Sequence, residues 1–157
     1  MEQKTFKAPP SHYFLRLYGT PLKYVLGRYI LLLTVTGRNT GLPRTIPLQY
    51  EPVGNTYQVG SARGAKADWF LNIVADGRVE VQVMGRRFPA IAEPITDPCR
   101  VADFLALRLC RHPFMVGRIL RSAGLPRSPS RAELEQYAQQ LAMVILHPQA
   151  DVISRVG

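Results

Sequence analysis

The chain has 157 residues, enough for one domain with its own core, and 46% of them are hydrophobic, which argues against global disorder. Twenty basic residues, sixteen of them arginine, stand against eleven acidic ones, and the resulting charge of +9 predicts an anionic ligand or surface. Cys99 and Cys110 form no CxxC pair, so neither a zinc site nor a disulfide framework is indicated, and reduced structural cysteines in a cytoplasmic protein are expected.

The N-terminal part predicts a tail followed by an amphipathic helical segment. Residues 1–10 are polar, without a signal-peptide pattern, and are expected to form a flexible tail. From Ser11 to about Arg28 apolar residues recur at roughly helical spacing, with a break at Gly19-Thr20-Pro21. The apolar side of this segment would cover a sheet edge, a ligand or a membrane surface.

Three strands are predicted next. Ile30 to Thr36 is an apolar run typical of a buried strand, and Thr56 to Ser61 is a further strand. The extended segment between them contains Pro43 and Pro47, which predict that this second strand is irregular or lies at a sheet edge. A turn is expected at residues 51–55.

The loop after the first strand, Gly37-Arg38-Asn39-Thr40-Gly41, is the strongest candidate for a binding site. Its glycines allow a tight turn that presents backbone N–H groups, and Arg38 and Arg44 supply fixed positive charge. This combination favours an anionic, phosphate-like group. The alternative is a surface β-turn with solvated arginines.

A second loop is expected to join this site. If the first and third strands are neighbours, the loops that follow them open at the same end of the sheet. Asp68 could cap a short helix, Trp69 to Val74. Trp69 could pack on a ring-shaped ligand or serve the core, and Asn72 could hold a loop or a ligand carbonyl. The further residues predicted to converge there are Ser61, Arg63, Gly64 and Lys66.

The second half of the chain predicts a hairpin and then helices. Arg78 to Met84 alternates strictly, and Arg87 to Ile95 returns after a turn at Gly85-Arg86. Thr96-Asp97-Pro98 begins a helix that runs to about Leu109, and a basic, less regular piece follows to Arg127.

The last predicted elements are a helix and a strand. Ser130 and Glu133 form a capping box that opens a helix to about Gln140, and Leu141 to His147 reads as a buried strand. About six mostly antiparallel strands with flanking helices indicate an α+β protein built on a small barrel. A single domain over residues 11–157 would then contain a helical insertion at about 97–140.

The chain lacks a reactive motif of its own. The three histidines have no paired Glu or Cys spacing, no GxSxG is present, and both common nucleotide fingerprints are absent. A phosphate-binding loop without catalytic side chains is what is expected when a cofactor carries the chemistry. The arginines between Arg100 and Arg131 favour a solvated basic face, with anionic lipid or an acidic coenzyme tail next and nucleic acid disfavoured by the scarcity of aromatic residues.

The stretch LLLTVTGRNTGLPRTIPLQY, with DWFLNI and RVEVQVMGRRFPAIAEPITDP, resembles the deazaflavin-dependent nitroreductase family, split β-barrel proteins related to FMN-binding oxidoreductases. The resemblance covers about Ile30 to Pro98 and the closing strand, and its core motif is T-x-T-G-R-x-T-G-x-x-R. It implies a split barrel that binds coenzyme F420, with its ring or tail bordered by the second loop and the Trp69 helix. The phosphate would lie near Arg38, Asn39, Thr40, Gly41 and Arg44.

Two departures keep the ligand open. The family commonly has Lys where this chain has Asn39, and it has a longer loop where this chain has Ala62 to Ala67. FMN, or another ligand held by the same barrel, therefore remains an alternative to F420.

The phosphate-type loop without catalytic side chains, together with the resemblance, favours an oxidoreductase that passes hydride to a small electrophile such as a quinone, an enone or a nitroaromatic. Many acceptors also need a proton donor, and Tyr18, Tyr24 or Ser61 could serve, with nothing in the sequence to choose among them. The alternatives are an FMN-dependent reductase and a non-catalytic carrier of a flavin, haem or lipid. The strands Leu141 to His147 and Arg78 to Met84 are apolar enough to be covered on both faces, and related split barrels often pair through such sheets. A homodimer is therefore predicted. A cytoplasmic location is expected, with membrane association through the basic surface or the N-terminal helix as a further option.

Overall fold

The computed structural model describes residues 28–150, in which six antiparallel strands close into a barrel. Around the barrel the order is β1-β2-β3-β6-β5-β4, and β4 pairs back onto β1. The predicted α+β split-barrel class is confirmed. The tail 1–10 and the helical segment before Arg28 lie outside the described residues. The strands are β1 (Ile30–Thr36), β2 (Pro43–Val53), β3 (Thr56–Ser61), β4 (Arg78–Val83), β5 (Arg86–Ile95) and β6 (Ala142–Pro148).

Four α-helices and one 3-10 turn (Gly64–Lys66) accompany the barrel in the described range. They are α1 (Asp68–Ala75), α2 (Pro98–Arg111), α3 (Pro113–Ser122) and α4 (Arg131–Ala138). The last three occupy the β5–β6 connection, and the predicted capping box of Ser130 and Glu133 opens α4. The piece predicted to be irregular contains α3, because Pro113 restarts a helix after the non-helical His112.

Two cores hold these elements together. The first fills the barrel, where alternate residues of β1 and β4 and the buried side of α1 meet; it includes Leu33, Val81 and Phe70. The second lies between the outer barrel wall and α2 to α4 and includes Phe104 and Leu120. Gly60 belongs to that wall: a Cβ there would lie 3.0 Å from Cε1 of Phe104, so the missing side chain lets α2 pack closely.

Strand β2 differs from its prediction. It continues through Val53, and the turn is confined to residues 54–55. Its residues 43–49, which include Pro43 and Pro47, pair with β1, whereas residues 50–53 pair with β3. The prolines therefore lie where one side of the strand has no ladder partner, and the strand as a whole is not an edge strand.

All the long connections lie at one end of the barrel. β1 and β3 flank β2 and are not neighbours, contrary to the expectation, but both are antiparallel to β2 and so end on the same side. β6 is antiparallel to both β3 and β5, so β5 also ends on this side of the barrel. We call this side, where the connections 37–42, 62–77 and 96–141 meet, the long-loop end.

The helical layer is attached to the barrel through a buried carboxylate. Glu51 of β2 is 2% exposed. Its oxygens accept from Nε of Arg108 and from Nη1 of Arg111, each at 3.3 Å, and lie 3.0 Å from Nε2 of His112. Arg111 also donates to the carbonyl of Pro52 at 2.8 Å. The C-terminal end of α2 is thereby fixed beside the second half of β2.

Cys99 and Cys110 lie near the two ends of α2, and both are unpaired and exposed. They therefore do not pack in the core, which differs from the prediction of structural cysteines. Among residues 28–150, no helix combines the length and the apolar character needed to cross a bilayer.

Candidate functional site

The glycine loop folds tightly onto itself at the long-loop end. The N–H of Gly41 donates to the carbonyl of Gly37 at 2.7 Å, and the N–H of Gly37 donates to the carbonyl of Leu42 at 2.8 Å. A Cβ on Gly37 would lie 2.8 Å from Oγ1 of Thr40 and 3.4 Å from Nε of Arg44. A side chain at position 37 would therefore displace the Thr40 hydroxyl from its present position beside Arg44.

Asn72 holds this loop against α1. The side chain of Asn72 is buried, and its Oδ1 accepts from the backbone N–H of Arg38 at 3.1 Å and from Nη1 of Arg38 at 2.8 Å. Of the two roles considered for Asn72, the contacts show the loop-holding one. The carboxamide fixes both the backbone and the side chain of Arg38 before any ligand binds.

Arg38 is not a solvated loop arginine. Its Nη1 donates to the carbonyl of Asp68 and its Nη2 to the Asp68 carboxylate, each at 3.2 Å. The prediction that Asp68 caps α1 is wrong: the N-cap is Ala67, without a side-chain hydrogen bond, and the Asp68 carboxylate faces Arg38. The Asp68 side chain is 82% exposed, so this ion pair is open to water and to competing anions.

A cavity of about 260 Å³ lies over this arrangement, lined by Gly37, Arg38, Asn39, Thr40, Arg44, Asp68 and Asn72. Two guanidinium groups, a hydroxyl and two side-chain amides line it, with one carboxylate. Arg44 is exposed and has no ion-pair partner within the described residues. Such a donor set suits a phosphate or another compact anion.

The second loop lines a different cavity. Arg63, Gly64 and Lys66 border a space of about 390 Å³ together with Thr96 and residues 139–141. Ser61 is buried and its hydroxyl donates to the carbonyl of Gly64 at 2.7 Å. The structure therefore brings Arg38, Asn39, Thr40, Arg44 and Asn72 together, whereas Arg63, Gly64 and Lys66 line a separate cavity.

Trp69 lines neither of these cavities. It is half-buried, packs against the barrel core and contacts Phe70 edge to face, with ring centroids 6.2 Å apart. Core packing is the role that these contacts show for Trp69.

A third cavity, which the sequence analysis missed, lies between the outer barrel wall and the helical layer. Its volume is about 260 Å³ and its lining is mainly apolar, from β3, β6 and the three helices. Ala62 and Leu141 line both this apolar cavity and the second-loop cavity, so the two adjoin. No short motif marks it, because its walls come from residues far apart in the sequence; the apolar spacing along α2 and α3 was the available signal.

Four residues with polar side chains line the apolar cavity: Gln49, Ser61, Arg108 and Tyr137. Arg108 is held by Glu51, by Oε1 of Gln49 at 2.8 Å and by the Phe104 ring, whose centroid is 5.8 Å away. Burial raises the pKa of the Tyr137 phenol above its ordinary value of 10, so the phenol stays protonated at neutral pH. The cavity thus offers a fixed cation and a neutral proton donor.

A family model described as F420H(2)-dependent quinone reductase matches residues 14–110, which is more than half of the chain. The chain belongs to this family. The matched range includes the glycine loop, the second loop, α1 and nearly all of α2, and it ends before α3.

One curated relative of this chain is an F420H(2)-dependent quinone reductase of Mycobacterium tuberculosis. The two sequences are 35% identical over 68 residues. The match covers 41% of this chain and 46% of the relative, so the chain spans about half the length of the curated relatives it matches.

Solved structures agree in fold. An F420-H2 dependent reductase is 20% identical with a TM-score of 0.52, over 76% of this chain and 94% of its own. A Listeria innocua protein assigned as a pyridoxamine 5′-phosphate oxidase is 10% identical with a TM-score of 0.54, over 80% and 90%. A protein solved as a domain-swapped dimer is 19% identical with a TM-score of 0.53, over 88% and 99%.

Gly64 generates a prediction about the second loop. It has φ +63°, and a Cβ would lie 2.7 Å from the carbonyl oxygen of Gln140. We expect Gly64→Ala to lower the free energy of unfolding by about 3 kcal/mol, since left-handed strain costs on the order of 1–3 kcal/mol and a backbone clash is added.

The matched control is Gly85→Ala. Gly85 has φ +78° with nothing within 4 Å of a Cβ, so it carries the strain without the clash. Urea unfolding followed by circular dichroism measures both variants. Equal losses would show that the contact between Gly64 and Gln140 does not constrain the loop.

Proposed function

We propose that this protein is an oxidoreductase that binds coenzyme F420 and passes a hydride to a small electrophile such as a quinone, an enone or a nitroaromatic. The observation that carries the proposal is the pairing, in a member of the F420H(2)-dependent quinone reductase family, of a phosphate-type cavity at the glycine loop with an apolar cavity that holds a fixed cation and a phenol. FMN is the alternative cofactor.

The residues at the glycine loop fit the anionic part of such a cofactor. Arg44 is available without rearrangement, and Thr40 adds a hydroxyl within the same turn. Arg38 contributes once the ligand competes with Asp68 for its exposed Nη2, while Asn72 keeps the backbone of Arg38 in place. The missing Cβ of Gly37 leaves the space in which Thr40 and Arg44 converge.

A bound, reduced deazaflavin supplies a hydride; the chain supplies orientation and a proton. The electrophile would occupy the apolar cavity, where apolar walls exclude water from the reacting atoms. Reduction of a carbonyl acceptor adds one hydride and one proton. Negative charge that develops on its oxygen would be stabilised by the guanidinium of Arg108, which Glu51 and Gln49 hold in position.

Tyr137 is the proposed source of the proton. Of the donors named from the sequence, Tyr18 and Tyr24 lie outside the described residues, and the Ser61 hydroxyl already donates to Gly64. Tyr137 lines the apolar cavity and is kept neutral by its raised pKa. The phenol would give its proton to the acceptor oxygen and regain one from solvent.

Substitution of Arg44 tests the phosphate site. Arg44→Ala removes a charge-assisted hydrogen bond of the kind that contributes roughly 1.5–3 kcal/mol. We therefore expect the dissociation constant for F420, measured by fluorescence titration, to rise about ten- to a hundredfold, with unchanged stability because Arg44 is exposed.

Arg127→Ala is the control, because it removes the same charge from an exposed position in the β5–β6 connection. Similar losses in the two variants would indicate attraction by the overall charge and contradict a phosphate site. The same titration with FMN decides between the cofactors, and saturable binding of neither would exclude the proposal.

The second prediction concerns turnover. We expect Tyr137→Phe to lower kcat with a quinone acceptor on the order of 10²-fold, since general acids contribute about that much or more, and to leave F420 affinity unchanged. In the unsubstituted enzyme kcat should fall only above the ordinary phenol range, because burial raises the pKa of Tyr137 and deprotonation abolishes donation. An unchanged kcat in Tyr137→Phe would assign the proton to another group.

We also propose that the protein is a homodimer, as predicted from the sequence; a fold neighbour solved as a domain-swapped dimer supports this. Outward residues of β6 such as Met143 and Ile145 pack against the helices of the same chain, so they are not free to form the predicted contact between two barrels. The exposed positions of β4 are polar. A dimeric mass by light scattering at micromolar concentration is expected, and a monomeric mass would contradict it.

A further inference from the structure

Helix α3 is apolar on both sides. Val116 and Leu120 are buried against α2 and the barrel wall, as the hydrophobic spacing requires. On the opposite side Phe114 is 90% exposed, Ile119 47% and Met115 40%. These three large apolar side chains lie within six residues of one another and form an exposed patch. Such patches commonly mark a site of interaction with a protein or a membrane.

Positive charge accompanies this patch. Arg118 and Arg121 are exposed on the same helix, and neither has an acidic partner in the part of the chain that the structure describes. The sequence contains no Asp or Glu between Asp103 and Glu133, a stretch with six arginines. Arg108 and Arg111 are bound to Glu51, and Arg131 to Asp103 and Glu135, so these ion pairs leave α3 uncompensated.

We propose that α3 docks the protein onto an anionic lipid bilayer. The helix would lie in the plane of the membrane, with Phe114, Met115 and Ile119 in the boundary between headgroups and acyl chains and with Arg118 and Arg121 on the lipid phosphates. We call these five residues the α3 face. The combination of exposed large apolar side chains with basic residues, without intervening carboxylates, is the pattern that such interfacial helices share.

Other occupants fit the α3 face less well. A second copy of this chain, with its net charge of +9, would bring arginine onto arginine. The segment 11–27, which lies outside the described residues, carries Arg16 and Lys23 and no carboxylate, so it too would add positive charge. A nucleic acid would satisfy the arginines but leave the three apolar side chains in water.

The α3 face also adjoins the apolar cavity. Ile119 belongs to both, and Val116 and Leu120 form part of the cavity wall. Docking would therefore place one wall of that cavity at the lipid surface, and, on the function proposed above, an apolar electrophile could reach it from the bilayer without crossing water. The family match ends at residue 110, so this surface lies outside the matched range.

The test is co-sedimentation of the full-length protein with vesicles of phosphatidylcholine, with and without phosphatidylglycerol. We expect binding only when phosphatidylglycerol is present. The double variant R118E/R121E should lose at least about tenfold in affinity, since each basic residue near an anionic surface contributes appreciably. Phe114→Ser should also lose about tenfold, and its loss should persist at high salt, where charge effects are screened.

Matched controls lie on the β4–β5 hairpin and on β5. R86E/R87E changes the net charge by the same amount at two exposed arginines, and Ile91→Ser removes an apolar side chain that is 42% exposed, against 90% for Phe114. Both should bind anionic vesicles almost as the unsubstituted protein does. Circular dichroism checks that all four variants fold, and F420 titration checks that cofactor binding is unchanged, which separates this proposal from the proposed function.

Four outcomes would overturn the proposal. They are no binding of the unsubstituted protein to anionic vesicles, equal losses in R118E/R121E and R86E/R87E, unchanged binding of Phe114→Ser, and a dimeric mass that becomes monomeric only in Phe114→Ser. Equal losses in the two charge variants would indicate attraction by the overall positive charge of the protein. Unchanged binding of Phe114→Ser would exclude insertion by α3, and loss of the dimer only in Phe114→Ser would assign the α3 face to a second copy.

Discussion

The helical layer depends on one carboxylate. Glu51 lies buried on the outer wall of the barrel, with two arginines and a histidine of α2 and the α2–α3 junction around its oxygens. A carboxylate is stable in such a position only where charged donors replace water. The same contact fixes the end of α2 and holds Arg108 at the apolar cavity, so the packing of the helical layer and the lining of the cavity depend on the same ion pairs.

The excess of arginine separates into two populations. Some guanidinium groups are fixed by buried or half-buried acceptors, as Arg38 is by Asn72 and Arg108 by Glu51 and Gln49. Others, such as Arg44 and Arg118, project into solvent without an acidic partner in the described range. Net charge alone could not distinguish them, since only the three-dimensional positions of the few acidic residues decide which arginines are neutralised.

Local patterns in the sequence were sufficient to predict most of the strands and helices. Strand β1 was predicted to the residue because its apolar run ends at a glycine, and Ser130 with Glu133 was sufficient to place the start of α4. Asp68 was misread as a cap because its actual partner, Arg38, is distant in sequence. For the same reason the glycine loop could be recognised from neighbouring residues, whereas the apolar cavity, assembled from separate strands and helices, could not.

The place of β6 in the barrel has a consequence for biosynthesis. β6 pairs with both β3 and β5, joining for example Tyr57 to Leu146, yet it follows the other five described strands in the chain. Until it leaves the ribosome, β3 and β5 each present an unpaired edge, which is the part of a sheet most prone to wrong association. The nascent barrel therefore stays open until residues 142–148 have been made, and a chain that ends before residue 142 could not close it.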